Sequence, residues 1–213
     1  MVKVIFFDFW GTLVENGIFP SPVRQVKSIL NLYRTPFPLF IVKFEEAFMT
    51  REYNDLYEAF SAVCEAFNIR PTPVMLDRLV GMWNKNKLLA KPYPETLKVL
   101  QTLKKKYKIV LISNTDCFSI KSVVEKFELD KYFDLMVFSY DTGMLKSNPK
   151  AFENALKKLK LKKEDVIMVG DSMESDIQGA KNAGIDAVLI DRRDRREFEN
   201  KIVTLDELEK LLK

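Results

Sequence analysis

The chain has 213 residues, 47% hydrophobic and 30% charged, with a formal net charge of +4; this balance fits a soluble globular domain or a domain with an insert, and does not argue for nucleic-acid or membrane binding. It contains no histidine. That excludes Ser-His and Cys-His hydrolysis, histidine-ligated zinc and histidine proton shuttles, leaving Asp, Glu, Lys, Cys or a metal held by oxygen ligands to carry any catalysis.

Residues 2–7 are apolar, β-branched and aromatic apart from Lys3, the pattern of a strand buried on both faces of a parallel sheet. With Lys3 and Asp8 and no small-residue cleavage site, this start is not expected to be a targeting segment, and no apolar run is long enough to span a bilayer. The strand ends at Asp8-Phe9-Trp10-Gly11-Thr12-Leu13.

Residues 16–92 then read as helices only. Val23, Val26, Ile29, Leu30 and Tyr33 form one stripe, and Phe40, Ile41, Phe44, Ala47 and Phe48 a short second one. Leu56, Phe60, Val63, Cys64 and Phe67 form a third, followed by Leu76, Leu79, Val80 and Trp83. Pro20-Ser21-Pro22, Pro36-Phe37-Pro38, Pro71-Thr72-Pro73 and Pro92-Tyr93-Pro94 flank and divide them. The aromatic residues here are expected in helix packing. Cys64 and Cys117 form no CxxC pair and are expected as packed, reduced thiols in a cytoplasmic protein.

From residue 93 strand-like and helical patterns alternate. Apolar runs at 109–112, 135–138, 166–169 and 187–190 are separated by helical spacings at Leu97-Leu100-Leu103, Phe152-Ala155-Leu156-Leu159 and Ile177-Ala180-Ala183. A short strand at 201–203 and a helix through Leu205, Leu208 and Leu212 close the chain. The fold class expected is α/β: a Rossmann-like parallel sheet with helices on both faces, plus an all-helical insert.

Ligands of open α/β sheets bind beyond the carboxyl ends of the strands. Asp8, Ser113-Asn114-Thr115-Asp116, Lys146, and Asp171 through Asp176 fall there. Asp8, Asp171 and Asp176 against Lys146 leave a net charge of about −2, which repels a phosphate until a cation such as Mg²⁺ joins them. Asp176 and Glu174 also have a simpler reading, as favourable carboxylates in a helix's first turn. The basic cluster Arg192-Arg193-Asp194-Arg195-Arg196 is expected to be a solvated loop rather than a nucleic-acid patch.

Asp8 through Leu13, Ser113-Asn114, Lys146 followed by Pro149, and Gly170-Asp171 through Asp176 together resemble the four ordered motifs of the haloacid dehalogenase (HAD) superfamily. The resemblance implies a catalytic core at residues 1–15 and 93–213 with a helical cap at 16–92. It implies Asp8 as a nucleophile that forms an aspartyl-phosphate, and Mg²⁺ bound by Asp8, the Trp10 backbone carbonyl and Asp171. Thr12, Ser113, Asn114 and Lys146 are implied at the phosphoryl group, with Lys146 also linked to Asp8 and Asp176 in support. The implied partner is a small phosphorylated metabolite.

Trp10 departs from the pattern. Phosphatases of that superfamily usually carry a second aspartate there, which protonates the leaving group and then activates water, whereas an indole N–H donates a hydrogen bond but shuttles no proton. The superfamily's metal-independent 2-haloacid dehalogenases carry an aromatic residue at this position but lack the aspartate matching Asp171; Arg34 and Arg51 are the candidates for a halide-binding arginine. A buried metal-binding carboxylate left unused beside a nucleophilic aspartate is costly, so the expectation is a Mg²⁺-dependent phosphatase. The alternatives are a dehalogenase, or a binding protein that turns over poorly.

Overall fold

A computed structural model describes residues 2–212. The first apolar run gives β1 (Val4–Phe7), starting two residues later than its pattern predicts. A two-residue β2 (Val14–Glu15) leads into four helices: α1 (Pro22–Ile29), α2 (Phe37–Met49), α3 (Leu56–Ala66) and α4 (Pro73–Leu89). Their starts follow the sequence: Pro22, Pro38 and Pro73 lie in first turns, and Asp55 and Thr72 accept backbone N–H bonds from Glu58 and Met75. The chain returns through β3 (Lys91–Pro92), antiparallel to β2, so the two connections to the helices run side by side.

The remainder alternates: α5 (Thr96–Leu103), β4 (Lys108–Ser113), α6 (Ser119–Lys126), β5 (Leu135–Phe138), α7 (Ser139–Thr142), α8 (Pro149–Leu159), β6 (Val166–Gly170), α9 (Gln178–Asn182), β7 (Asp186–Ile190), β8 (Lys201–Ile202) and α10 (Leu208–Leu211). The sheet order is β5-β4-β1-β6-β7-β8, and every pairing is parallel. The strand order reverses at β1, between β4 and β6. Asp8 follows β1 and therefore sits at the topological switch point, where such sheets open a crevice.

Side chains alternate across the sheet as the strand period requires. Ile5, Phe7, Ile109, Leu111 and Val169 pack on one face with Leu100, Leu103, Ile120 and Val123. Val4, Phe6, Val110, Ile112 and Met168 pack on the other with Phe152, Ala155 and Ala180. The four inserted helices share a third cluster, in which Phe40, Phe44 and Phe48 stack in series and Trp83 meets Phe48 at 4.9 Å between ring centres. Phe118 and Leu145, from outside the helical segment, pack against this cluster. Tyr33, which the periodicity assigns to the first stripe, is instead exposed, because α1 ends at Ile29. Among the described residues no helix is long and apolar enough to cross a membrane.

Candidate active site

Asp8 enters the crevice because its backbone N–H continues the sheet, donating to the Val169 carbonyl at 2.9 Å. Its carboxylate is held from two sides. Lys146 Nζ lies 2.5 Å from Oδ1, and the Thr12 hydroxyl donates to Oδ2 at 3.1 Å. Thr12 is fully buried, so its hydroxyl serves the Asp8 carboxylate. The same ammonium lies 2.5 Å from Asp176 Oδ1, while Asp176 Oδ2 accepts the Ser172 N–H at 2.9 Å. Asp176 is thus a buried partner of Lys146 rather than only a first-turn carboxylate; Glu174 is exposed.

Lys146 is itself placed by its backbone. Its N–H donates to Asn114 Oδ1 at 2.9 Å, and a Cβ on Gly179 of α9 would fall 2.2 Å from its carbonyl oxygen. Asp171 follows β6 and faces Gly11. Gly11 has φ +81°, and a Cβ there would come within 2.4 Å of an Asp171 carboxylate oxygen, so the turn after Trp10 admits only glycine at that point. Ser113 closes β4 and is buried.

One carboxylate oxygen from each of Asp8, Asp171 and Asp176 lies within 4.8 Å of the others. Burial pushes the Asp8 carboxyl up to about 6 against the pull of Lys146. Burial, with repulsion from Asp8 and Asp176, raises Asp171 well above the carboxylate range. Burial also disfavours the Lys146 ammonium, but Asp176 and Asp8 outweigh it and hold the lysine charged. One lysine therefore does not neutralise three acids. An all-oxygen set with excess negative charge and space beside Asp171 fits a hard cation such as Mg²⁺.

Trp10 is half-buried. Its ring meets Phe9 edge-on at 5.0 Å, and its indole N–H donates to Thr115 Oγ1 at 3.1 Å. Trp83 of α4 donates to Asp116 Oδ2 at 3.1 Å, which ties the helical segment to the loop after β4. A cavity of about 480 Å³ lies between this segment and the strand ends, lined by Asp8, Trp10, Asn114, Lys146, Asp171 and Asp176 below and by Arg24, Ile41, Glu45, Met49 and Asn86 above.

The basic cluster is not a solvated loop throughout. Arg192 donates to the Gly11 carbonyl at 3.2 Å and the Thr12 carbonyl at 2.6 Å, pairs with Glu95 at 2.8 Å and stacks on Tyr93. Arg196 donates to the Asp171 carbonyl at 2.5 Å and pairs with Asp191. Both arginines hold site loops from behind. Glu45 also lay outside the sequence expectations, since its only signal is a carboxylate beside the Ile41, Phe44 and Phe48 stripe. Neither Arg34 nor Arg51 lines the cavity; Arg24 does.

Comparison with known proteins agrees with the geometry. The family model described as haloacid dehalogenase-like hydrolase matches residues 2–184. The glyceraldehyde 3-phosphate phosphatase of Pyrococcus furiosus is 31% identical over 195 residues, covering 88% of this chain and 80% of that protein. A HAD phosphatase from Thermococcus onnurineus has a similar structure, with a TM-score of 0.65, 24% identity and coverage of 99% of this chain and 98% of that one. The L-2-haloacid dehalogenase of Xanthobacter autotrophicus shares the fold as well, with a TM-score of 0.69, 17% identity and coverage of 100% and 98%.

Proposed function

This chain belongs to the haloacid dehalogenase-like hydrolase family, and on that premise we propose that it is a Mg²⁺-dependent phosphatase acting in the cytoplasm on a small phosphorylated metabolite. The observation that carries the reading is the buried Asp8–Lys146–Asp176 chain beside Asp171, a nucleophile, a fixed cation and a carboxylate to spare. In this reading residues 1–15 and 93–213 are the catalytic core, and residues 16–92 are a cap that excludes water.

Asp8 attacks phosphorus to form an aspartyl-phosphate, which water then hydrolyses. Thr12 and Lys146 fix the attacking carboxylate. Lys146, with Ser113 and Asn114, holds the phosphoryl oxygens as charge redistributes. Asp176 positions Lys146. Asp8, the Trp10 carbonyl and Asp171 would hold Mg²⁺, which when bound offsets the carboxylate charge and draws in the phosphoryl group.

A second reading, the metal-independent dehalogenase, draws on Trp10 and its aromatic side chain. One assay separates the two: p-nitrophenyl phosphate hydrolysis with Mg²⁺ or EDTA, beside chloride release from 2-chloropropionate. The expected result is Mg²⁺-dependent phosphate release that Asp8→Asn abolishes. Equal activity in EDTA overturns the metal assignment, and chloride release without phosphatase activity supports the dehalogenase.

A further inference from the structure

An alkyl phosphate loses an alkoxide, a poor leaving group unless a proton reaches the departing oxygen. Trp10 cannot supply it, because an indole does not ionise and this N–H is committed to Thr115. Six carboxyls line the cavity: Asp8, Glu45, Asp116, Asp171, Glu174 and Asp176. Asp8 is the attacking group. Asp176 is clamped by Lys146 and the Ser172 N–H, and Asp171 is assigned to the cation. Asp116 accepts from the Phe118 and Ser119 N–H groups through Oδ1 and from Trp83 through Oδ2, so both of its oxygens are taken. Glu174 is exposed and bonded to Ser172.

Glu45 remains, and it is the one carboxyl that the helical segment offers to the cavity among the described residues. Its Oε2 accepts from Asn114 Nδ2 at 2.9 Å. Asn114 cannot turn away, because its Oδ1 is engaged by the Lys146 N–H. Among the described residues Oε1 has no hydrogen bond. We infer that Glu45 is the catalytic acid and base of this site, acting from α2 on the leaving oxygen and then on the attacking water, an assignment that rests on the phosphatase reading.

The steps balance without another reactant. As Asp8 bonds to phosphorus and the P–O bond to the alcohol breaks, the Glu45 carboxyl gives its proton to the departing oxygen, releasing ROH. The resulting carboxylate then takes a proton from water as the hydroxyl oxygen attacks phosphorus. The bond to Asp8 breaks, phosphate leaves and Glu45 is again protonated. Burial pushes the Glu45 carboxyl up to about 7, against the Asn114 amide and the Lys146 ammonium and with help from Asp176 and Asp8, so both forms are accessible near neutral pH.

The experiment compares the full-length chain with E45Q in Mg²⁺, using p-nitrophenyl phosphate, whose leaving group needs no proton, and methyl phosphate, whose leaving group does. The amide of E45Q can still accept from Asn114 but has no proton to exchange. The expected result is a fall in kcat/KM of about 10²–10³-fold on methyl phosphate. The first-turnover burst of nitrophenolate should fall less than about threefold, followed by slow turnover because the base is missing. W10D placed in the E45Q background should restore part of the methyl phosphate activity, which a merely structural role for Glu45 does not predict. Equal losses of kcat/KM on the two substrates, or no loss on methyl phosphate, overturn the assignment while leaving the phosphatase reading intact. A wild-type chain that releases phosphate from neither substrate overturns the phosphatase reading itself, and this assignment with it.

Discussion

Lys146 and Asp8 meet at 2.5 Å with side chains only 3% and 8% exposed, and Asp176 stands at the same distance on the other side of the ammonium. Removing one partner of a buried ion pair costs about 3–5 kcal/mol, because the remaining charge is stranded. K146M should therefore lower Tm by about 10 °C near pH 8 in EDTA. The loss should shrink near about pH 5. Burial already raises Asp8 and Asp171 against the pull of Lys146, and without the ammonium they rise further above their unfolded values, so stability is kept below the unfolded values and lost as pH rises through the folded ones. Thermal melts at both pH values measure this, and a pH-independent loss contradicts it.

Mg²⁺ should stabilise the chain. A ligand at about 100 times its Kd adds about 2.7 kcal/mol, or about 5–10 °C for a domain of this size. D171N should abolish most of that shift. Because burial raises Asp8 to about 6, protons compete with the metal, and the shift should be larger near about pH 8 than near about pH 5.5. Differential scanning fluorimetry with and without Mg²⁺ reads both effects.

Trp10→Asp places a carboxyl where the indole now spends its N–H on Thr115. In the E45Q background, where the site lacks its proton donor, activity on alkyl phosphates should rise more than activity on aryl phosphates, by about tenfold or more. Steady-state kinetics on the two classes test it; an equal gain on both means that Trp10 limits access to the site rather than proton supply.

Arg192 spans the Gly11 and Thr12 carbonyls and Glu95. R192A should lower kcat about 10–100-fold through a displaced Asp8 turn, with KM within about threefold. It should also cost about 1–3 kcal/mol in urea unfolding, from two carbonyls that lose their donor and a carboxylate that loses its charged partner. R192K should recover little, since one ammonium cannot reproduce the fork.

Much of this was legible in the sequence where the signal is local. The runs ending at Phe7, Ile112, Val169 and Ile190 are strands because consecutive β-branched and aromatic residues suit burial on both sheet faces. The residues following them inevitably share one rim. What stayed hidden depends on distant partners. β2 and β3 are only two residues each and exist because Val14 meets Pro92 across the inserted helices. Arg192 and Arg196 look like any surface basic run until Gly11, Thr12 and Asp171 are folded against them. Glu45 resembles an ordinary polar residue at the edge of an apolar helix stripe until Asn114 is brought to it.

Trp10 and Trp83 are the chain's two tryptophans, one on the sheet side of the cavity and one on α4. Their indole groups bond to neighbouring residues of a single loop, Thr115 and Asp116. Every tryptophan photon this protein emits thus comes from beside one loop, where the sheet meets the inserted helices. The chain carries its own optical gauge, and if the helices act as the proposed cap, their closure over a bound ligand should change tryptophan emission in stopped flow without any attached dye.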